Sequence, residues 1–224
     1  MLLPPEAPVM TLPDAVLFPQ AMFPLFIFEP RYRKMLAESL ATHRTLVVAM
    51  RRPDKIRETP YAIGGLGLIR ACVRNKDGTS HVVLQGLARV KLGKATRYNP
   101  FRVQTIEPVP TVIKKKARVA KFVATLLELI PTRIKYGLPV PMHPTKGPQA
   151  DGMVDPKAFS SQQVLRHIRS VQDPCQLADL VSCMFLTTPW QRQVILETDD
   201  LEDRLEYLAK FLLIEIQDCS DKLS

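Results

Sequence analysis

At Ile113 the spacing of apolar residues along this chain changes from about two to about 3.6, and that change constrains the fold more than any other feature. A period of two places side chains on alternate faces of a strand, and a period of 3.6 builds one stripe on a helix. A chain whose strands come first and whose helices follow folds as α+β, with two segregated parts, rather than as an alternating α/β sheet. The expected organisation is therefore a β domain over residues 1–112 and a helical bundle over residues 113–224.

Leu12 to Leu40 carries the most specific local chemistry of the first part. It reads as strand, turn, strand and helix, with Phe18-Pro19 and Phe23-Pro24 bracketing a turn at Gln20-Ala21. Met22 to Phe28 has the length and apolar content of a buried strand. Pro24 cannot donate to a sheet ladder, so this strand lies at an edge or begins there. Pro30 suits a first helical position, and Tyr32, Met35, Leu36 and Leu40 then share one helical stripe. The expectation is a hairpin of apolar strands feeding an amphipathic helix.

Thr45–Met50 predicts a core strand and Arg51–Pro60 a solvated loop. Tyr61–Arg74 mixes strand residues with Gly64, Gly65 and Gly67, which mark a bulge or tight bend, since no phosphate-loop pattern surrounds them. Asn75–Gly78 is a hairpin turn by its chemistry. A strand follows from His81, broken by Gly86 and resumed over Leu87–Lys91, and another spans Phe101–Val109. In the second part, Ile113 to Ile130 reads as a helix ended by Pro131, and the prolines and glycines of residues 131–156 read as a long exposed loop. Ser160 or Ser161, Asp173-Pro174, Thr188-Pro189 and an Asp199/Glu202 capping box open four further helices.

The opening pattern LxxxVLFPxxxxPLxIFEPRYRxM at Leu12–Met35 resembles the Lon N-terminal domain, the substrate-recognition region of Lon-type ATP-dependent proteases. Two further runs are similar to the same family in the same order: YAIGGLGLIRA through YNPFRVQTIEPV, with Arg89 at the family's arginine position, and DPxxLADLV through FLxxE. The resemblance implies an α+β fold in which an N-terminal PUA-like β pseudo-barrel precedes a C-terminal α-helical bundle. It also implies a protein that holds unfolded or exposed apolar segments of other proteins, with a protease or ATPase as a further partner.

The chemistry of catalysis is not legible. No Walker-type loop, GxSxG elbow or HExxH spacing occurs, and the four histidines and four cysteines are scattered without metal-ligand spacing. A non-catalytic binding protein without cofactor or metal is expected. No apolar run approaches the roughly 18 residues of a membrane span, and the N-terminus lacks a signal pattern, so a cytoplasmic protein without membrane contact is expected. The expected peptide-binding residues are Phe23, Phe26, Phe28 and Tyr32, with Arg31 beside them. In an extended strand Met22, Phe26 and Phe28 share one face and Phe23, Leu25 and Ile27 the other, so one face can fill the barrel while the other meets a ligand.

Net charge is +9, unevenly spread: residues 1–112 carry 16 basic and 8 acidic groups, 113–169 carry 11 and 3, and 170–224 carry 4 and 11. Solvated faces and attraction between the acidic tail and the basic remainder account for this, while Lys114–Lys116 is the densest basic cluster. Nucleic acid is the alternative partner: PUA-like barrels often read RNA, and Tyr61, Tyr98 and Phe101 are candidates for stacking on bases. A scaffold that dimerises through its helical half is a third reading.

Overall fold

The computed structural model describes residues 3–56, 58–136 and 160–223. These form two units, one running to Val109 and the other starting at Pro110.

The first unit is a six-stranded sheet with one helix: β1 (Glu6–Leu12), β2 (Met22–Ile27), α1 (Pro30–Ala41), β3 (Thr45–Met50), β4 (Ile63–Arg74), β5 (Ser80–Arg97) and β6 (Val103–Pro108). The strand order is β2-β5-β4-β3-β1-β6, and β6 pairs again with β5, so the sheet curls into a pseudo-barrel while β2 stays at an edge. That is the place proline permits, and Pro24 sits in β2 opposite Val83. All six residues of β3 are buried, because Leu46 and Val48 face one apolar cluster and Val47 and Ala49 face another. α1 lays Tyr32, Met35 and Leu36 into the first of these.

The expected hairpin at the start is not formed. β1 ends at Leu12 and pairs with β3 in parallel and with β6 in antiparallel, whereas β2 pairs with β5. Residues 13–21 lie outside the sheet, yet Val16, Leu17 and Phe18 are fully buried. The glycines explain how. A Cβ on Gly65 would stand 1.9 Å from the Leu17 carbonyl oxygen, and one on Gly86 would stand 1.9 Å from that of Phe18. The segment thus crosses the sheet along a lane without side chains, tied by Gln20 N–H to the Gly86 carbonyl and Gly86 N–H to the Ala21 carbonyl, each at 2.9 Å. Gly86 does not break β5, which runs unbroken for 18 residues; it makes room. The expected bulge is present beside the glycines, between Leu66 and Gly67. The turn over Asn75–Gly78 closes the β4–β5 hairpin, with Gly78 at a φ of 82°.

The second unit holds α2 (Lys116–Lys135), α3 (Ser161–Ser170), α4 (Pro174–Phe185), α5 (Pro189–Glu197) and α6 (Leu201–Leu223). α2, α4 and α5 all pack on α6, whose Leu201, Leu205, Leu208 and Leu212 are buried. Pro131 does not end α2, which continues to Lys135. The extra turn carries Arg133 inward, where it is wholly buried, its Nε 2.9 Å from Glu215 Oε2 and its NH2 2.7 Å from the Phe185 carbonyl. That pair, buried at its Arg133 end, holds the helix past a residue that would otherwise stop it. The loop expected over 131–156 begins within this helix, and its remainder from 137 lies outside the described residues.

Helix starts follow the sequence with two corrections. Ser160 forms a full capping box with Gln163, and Asp173 accepts from Cys175 N–H at 2.9 Å. Thr188 opens α5 without a side-chain cap. At α6 the cap is Asp200 rather than Asp199, accepting from Glu202 N–H at 2.9 Å, while the Glu202 carboxylate accepts from Lys115 N–H instead of closing a box. α3 buries only Ile168 of its apolar residues.

Candidate functional site

The side chains expected to bind peptide are divided among three places. Phe23 belongs to the core, 5% exposed, beside Leu25 and Ile27. On the opposite face of β2 Met22 is 51% exposed and Phe26 partly buried, and Phe28, the residue after the strand, is 57% exposed. Strand register extends this face across the sheet: Phe26 opposes His81, which opposes Val73, itself 62% exposed, and Pro24 opposes Val83, which opposes Ala71. The ring of Phe26 stacks on Phe28 at 6.0 Å and lies 4.9 Å from that of His81. Apolar side chains on three neighbouring strands thus form a continuous outward face, with Arg70 and Gln85 joined at its Met22 end by a 2.6 Å hydrogen bond.

Arg31 and Tyr32 lie elsewhere, at the mouth of a cavity of about 260 Å³ walled by β1, the start of α1, Glu58 and the β5–β6 connection. The Tyr32 hydroxyl is 3.0 Å from both the Thr11 carbonyl and Glu58 Oε1. The other Glu58 oxygen accepts from Arg31, whose Nε donates to Glu29 at 2.8 Å. Burial, with the Glu58 charge added, pushes the Tyr32 phenol above its ordinary range, so it serves as a donor. Burial alone would lower the Arg31 guanidinium, but its hydrogen bonds to Glu58 and Glu29 outweigh this and raise it. Arg31 also stands over the Tyr32 ring at 4.4 Å. Arg102 donates to the Glu58 carbonyl at 3.0 Å and lies over Tyr98 at 5.1 Å.

Sequence reasoning gave Glu58 and Arg102 no role. Nothing local marks them, because they meet only when the loop after β3 and the start of β6 come together. His81 and Val73 were likewise invisible as partners of Phe26 until the long-range register was known.

Of the three aromatic residues proposed to stack on bases, Phe101 is core, with Arg97 over its ring at 4.3 Å, and Tyr61 is partly buried. Tyr98 is 64% exposed, under Arg102. The basic cluster around Lys114 is drawn into ion pairs with the acidic start of α6: Lys114 Nζ to Asp200 at 2.9 Å and Arg118 NH2 to Glu206 at 3.2 Å. Among the described residues no group of three His, Cys, Asp or Glu side chains could hold a metal, and no helix is long and apolar enough to cross a membrane. Arg89 is buried, 3% exposed, in β5.

Comparison with known proteins agrees with this architecture. The model of the family described as the ATP-dependent protease La (LON) substrate-binding domain matches residues 6–213. The Lon protease of Dictyoglomus thermophilum is 22% identical over 218 residues, covering 96% of this chain and 25% of that protein. Lon protease 2 of Bdellovibrio bacteriovorus is 25% identical over 226 residues, with 96% and 25% covered. The chain therefore spans about a quarter of the length of the curated relatives it matches. In three dimensions it superposes on the N-terminal domain of Mycobacterium avium complex Lon protease with a TM-score of 0.66 at 20% identity, covering 92% of this chain and 97% of that one. The Lon N-terminal domain protein from Xanthomonas campestris gives 0.60 at 19%, with 92% and 98% covered. The fold is that of Lon N-terminal domains, and the chain belongs to the LON substrate-binding domain family.

Proposed function

We propose that this protein binds rather than catalyses, holding exposed apolar segments of unfolded proteins on the outer face of β2. The observation that carries the reading is the exposure of Met22 on an edge strand and of Phe28 just past its end, with Phe26 stacked between Phe28 and His81. A soluble domain rarely leaves large apolar side chains grouped on adjacent strands unless something covers them. Each large side chain buried by a bound segment contributes about 1.5–3 kcal/mol, so a few suffice for reversible capture. The family's description as a substrate-binding domain supports the same reading, and a held segment would pass to a protease or ATPase partner.

The test is titration of a permanently unfolded fluorescent protein into the purified chain at low and high salt. Apolar capture changes little with salt, whereas binding to RNA phosphates weakens steeply. Phe26→Ser and Phe28→Ser are each expected to weaken capture about ten-fold while Trp190 emission stays native, in line with the loss of one buried aromatic. Capture that is indifferent to both substitutions, or seen only with RNA and lost as salt rises, would refute the reading.

A further inference from the structure

The cavity beside Tyr32 shares no residue with the outer face of β2, and its polar groups are unevenly matched. Both Glu58 oxygens are engaged, one by Arg31 and one by Tyr32, and Glu29 is engaged by Arg31. The Glu58 charge is therefore already balanced by Arg31. That of Arg102 is not: this side chain meets only a backbone carbonyl and the Tyr98 ring, so among the described residues it is the lining cation without a carboxylate partner. The Asn99 side chain, also in the wall, has no hydrogen bond among the described residues. Apolar surface completes the cavity through Val9, Pro100 and the exposed ring of Tyr98.

We propose that this cavity is a second binding site, for a small carboxylate carried on an apolar or aromatic body. Arg102 pairs the carboxylate, the Asn99 amide adds a donor, and Tyr98 with Val9 and Pro100 covers the body. With Glu58 paired to Arg31 the remaining charge of the lining is positive, which disfavours a cationic ligand, and a single unmatched guanidinium suits a monoanion better than a phosphate dianion. The volume, about 260 Å³, falls below the roughly 300–1,000 Å³ of sites for drug-sized molecules, so the occupant is of amino-acid size. Two sources share this chemistry, a free organic acid and the terminal carboxylate of a polypeptide.

Calorimetric titration of the full chain with benzoate, N-acetylphenylalanine and N-acetylphenylalanine amide separates them. N-acetylphenylalanine should bind about ten-fold or more tighter than its amide, the effect of one charge-assisted contact, and Arg102→Gln should erase that difference. Benzoate binding as well as N-acetylphenylalanine assigns the site to free acids; binding by N-acetylphenylalanine alone assigns it to chain termini. Phe26→Ser, which tests the β2 face, should leave carboxylate binding unchanged. Should Arg102→Gln fail to fold, Tyr98→Ala replaces an exposed ring and is expected to weaken the acid about ten-fold. Equal binding of acid and amide, no binding by either acid, or native-folded Arg102→Gln and Tyr98→Ala proteins that bind the acid unchanged would each overturn the proposal.

Discussion

At Gly65 and Gly86 a hydrogen atom is all the fold admits, because the carbonyl oxygens of Leu17 and Phe18 occupy the space a Cβ would need. Gly65→Ala and Gly86→Ala are each expected to destabilise the first unit by at least about 1–3 kcal/mol, measured as a lower urea midpoint; an unchanged midpoint would show that the crossing segment is not held there. Phe23 and Phe26 make the converse comparison, one residue type on two faces of one strand. Phe23→Ser should cost about 3–5 kcal/mol and unfold the unit, while Phe26→Ser leaves it folded, as circular dichroism would report. The alternation of β2 was readable from its residues, and so was the choice between core and surface, in the sense that one face had to be each. Which face was which depends on the pairing of Phe26 with His81 and Val73, set by residues more than forty positions away in the chain. The sulfur of Cys183 shows burial acting on a single group: desolvation pushes its thiol up from 9.0 to about 11. Because the folded chain keeps that proton longer than the unfolded chain, the contribution of this thiol to stability is fully present below pH 9 and is lost as pH rises from 9 towards 11. Alkylation at pH 8 should accordingly modify Cys183 last of the four cysteines, and its early modification would contradict this environment.

Helices were the most legible elements. Pro174 and Pro189 start α4 and α5 as their sequence signals indicate, since proline at the first helical position sacrifices no hydrogen bond. Pro131 misleads for a physical reason: local chemistry favours a stop, but the buried Arg133, paired with Glu215, lies one half-turn beyond it. A pair buried at both ends, Arg204 with Asp179, links α6 to α4. Asp179→Ala leaves the Arg204 guanidinium in the interior without its counter-charge and should cost about 3–5 kcal/mol, whereas the joint change Asp179→Leu with Arg204→Met should recover most of it. Unfolding followed by Trp190 emission reads both, and equal losses for the two proteins would mean that packing rather than charge dominates there. The surface pairs Lys114–Asp200 and Arg118–Glu206 differ in kind, contributing little to stability and less as salt rises.

Taken whole, the molecule shows where reading from sequence stops. The change of period near residue 113 announced strands before helices, and the motifs around Leu12–Met35 pointed to the Lon N-terminal fold that the structure displays. The barrel's connectivity was not readable, because β1 pairs with β3 across α1 and β2 reaches past both to β5. The crossing of residues 13–19 over the glycine lane has a kinetic corollary. Its seat exists only where β4 and β5 already lie side by side, and those strands are joined by five residues, 75–79, whose closure loses little chain entropy. The expected ordering in time follows ordering in space, with the β4–β5 ribbon in the folding nucleus and the clasp formed by Leu17 and Phe18 shutting after the barrier. Leu17→Ala should therefore leave the folding rate nearly unchanged and speed unfolding, with a φ-value near 0, while Val82→Ala slows folding. A φ-value near 1 at Leu17 would place the clasp first and reverse the sequence of events.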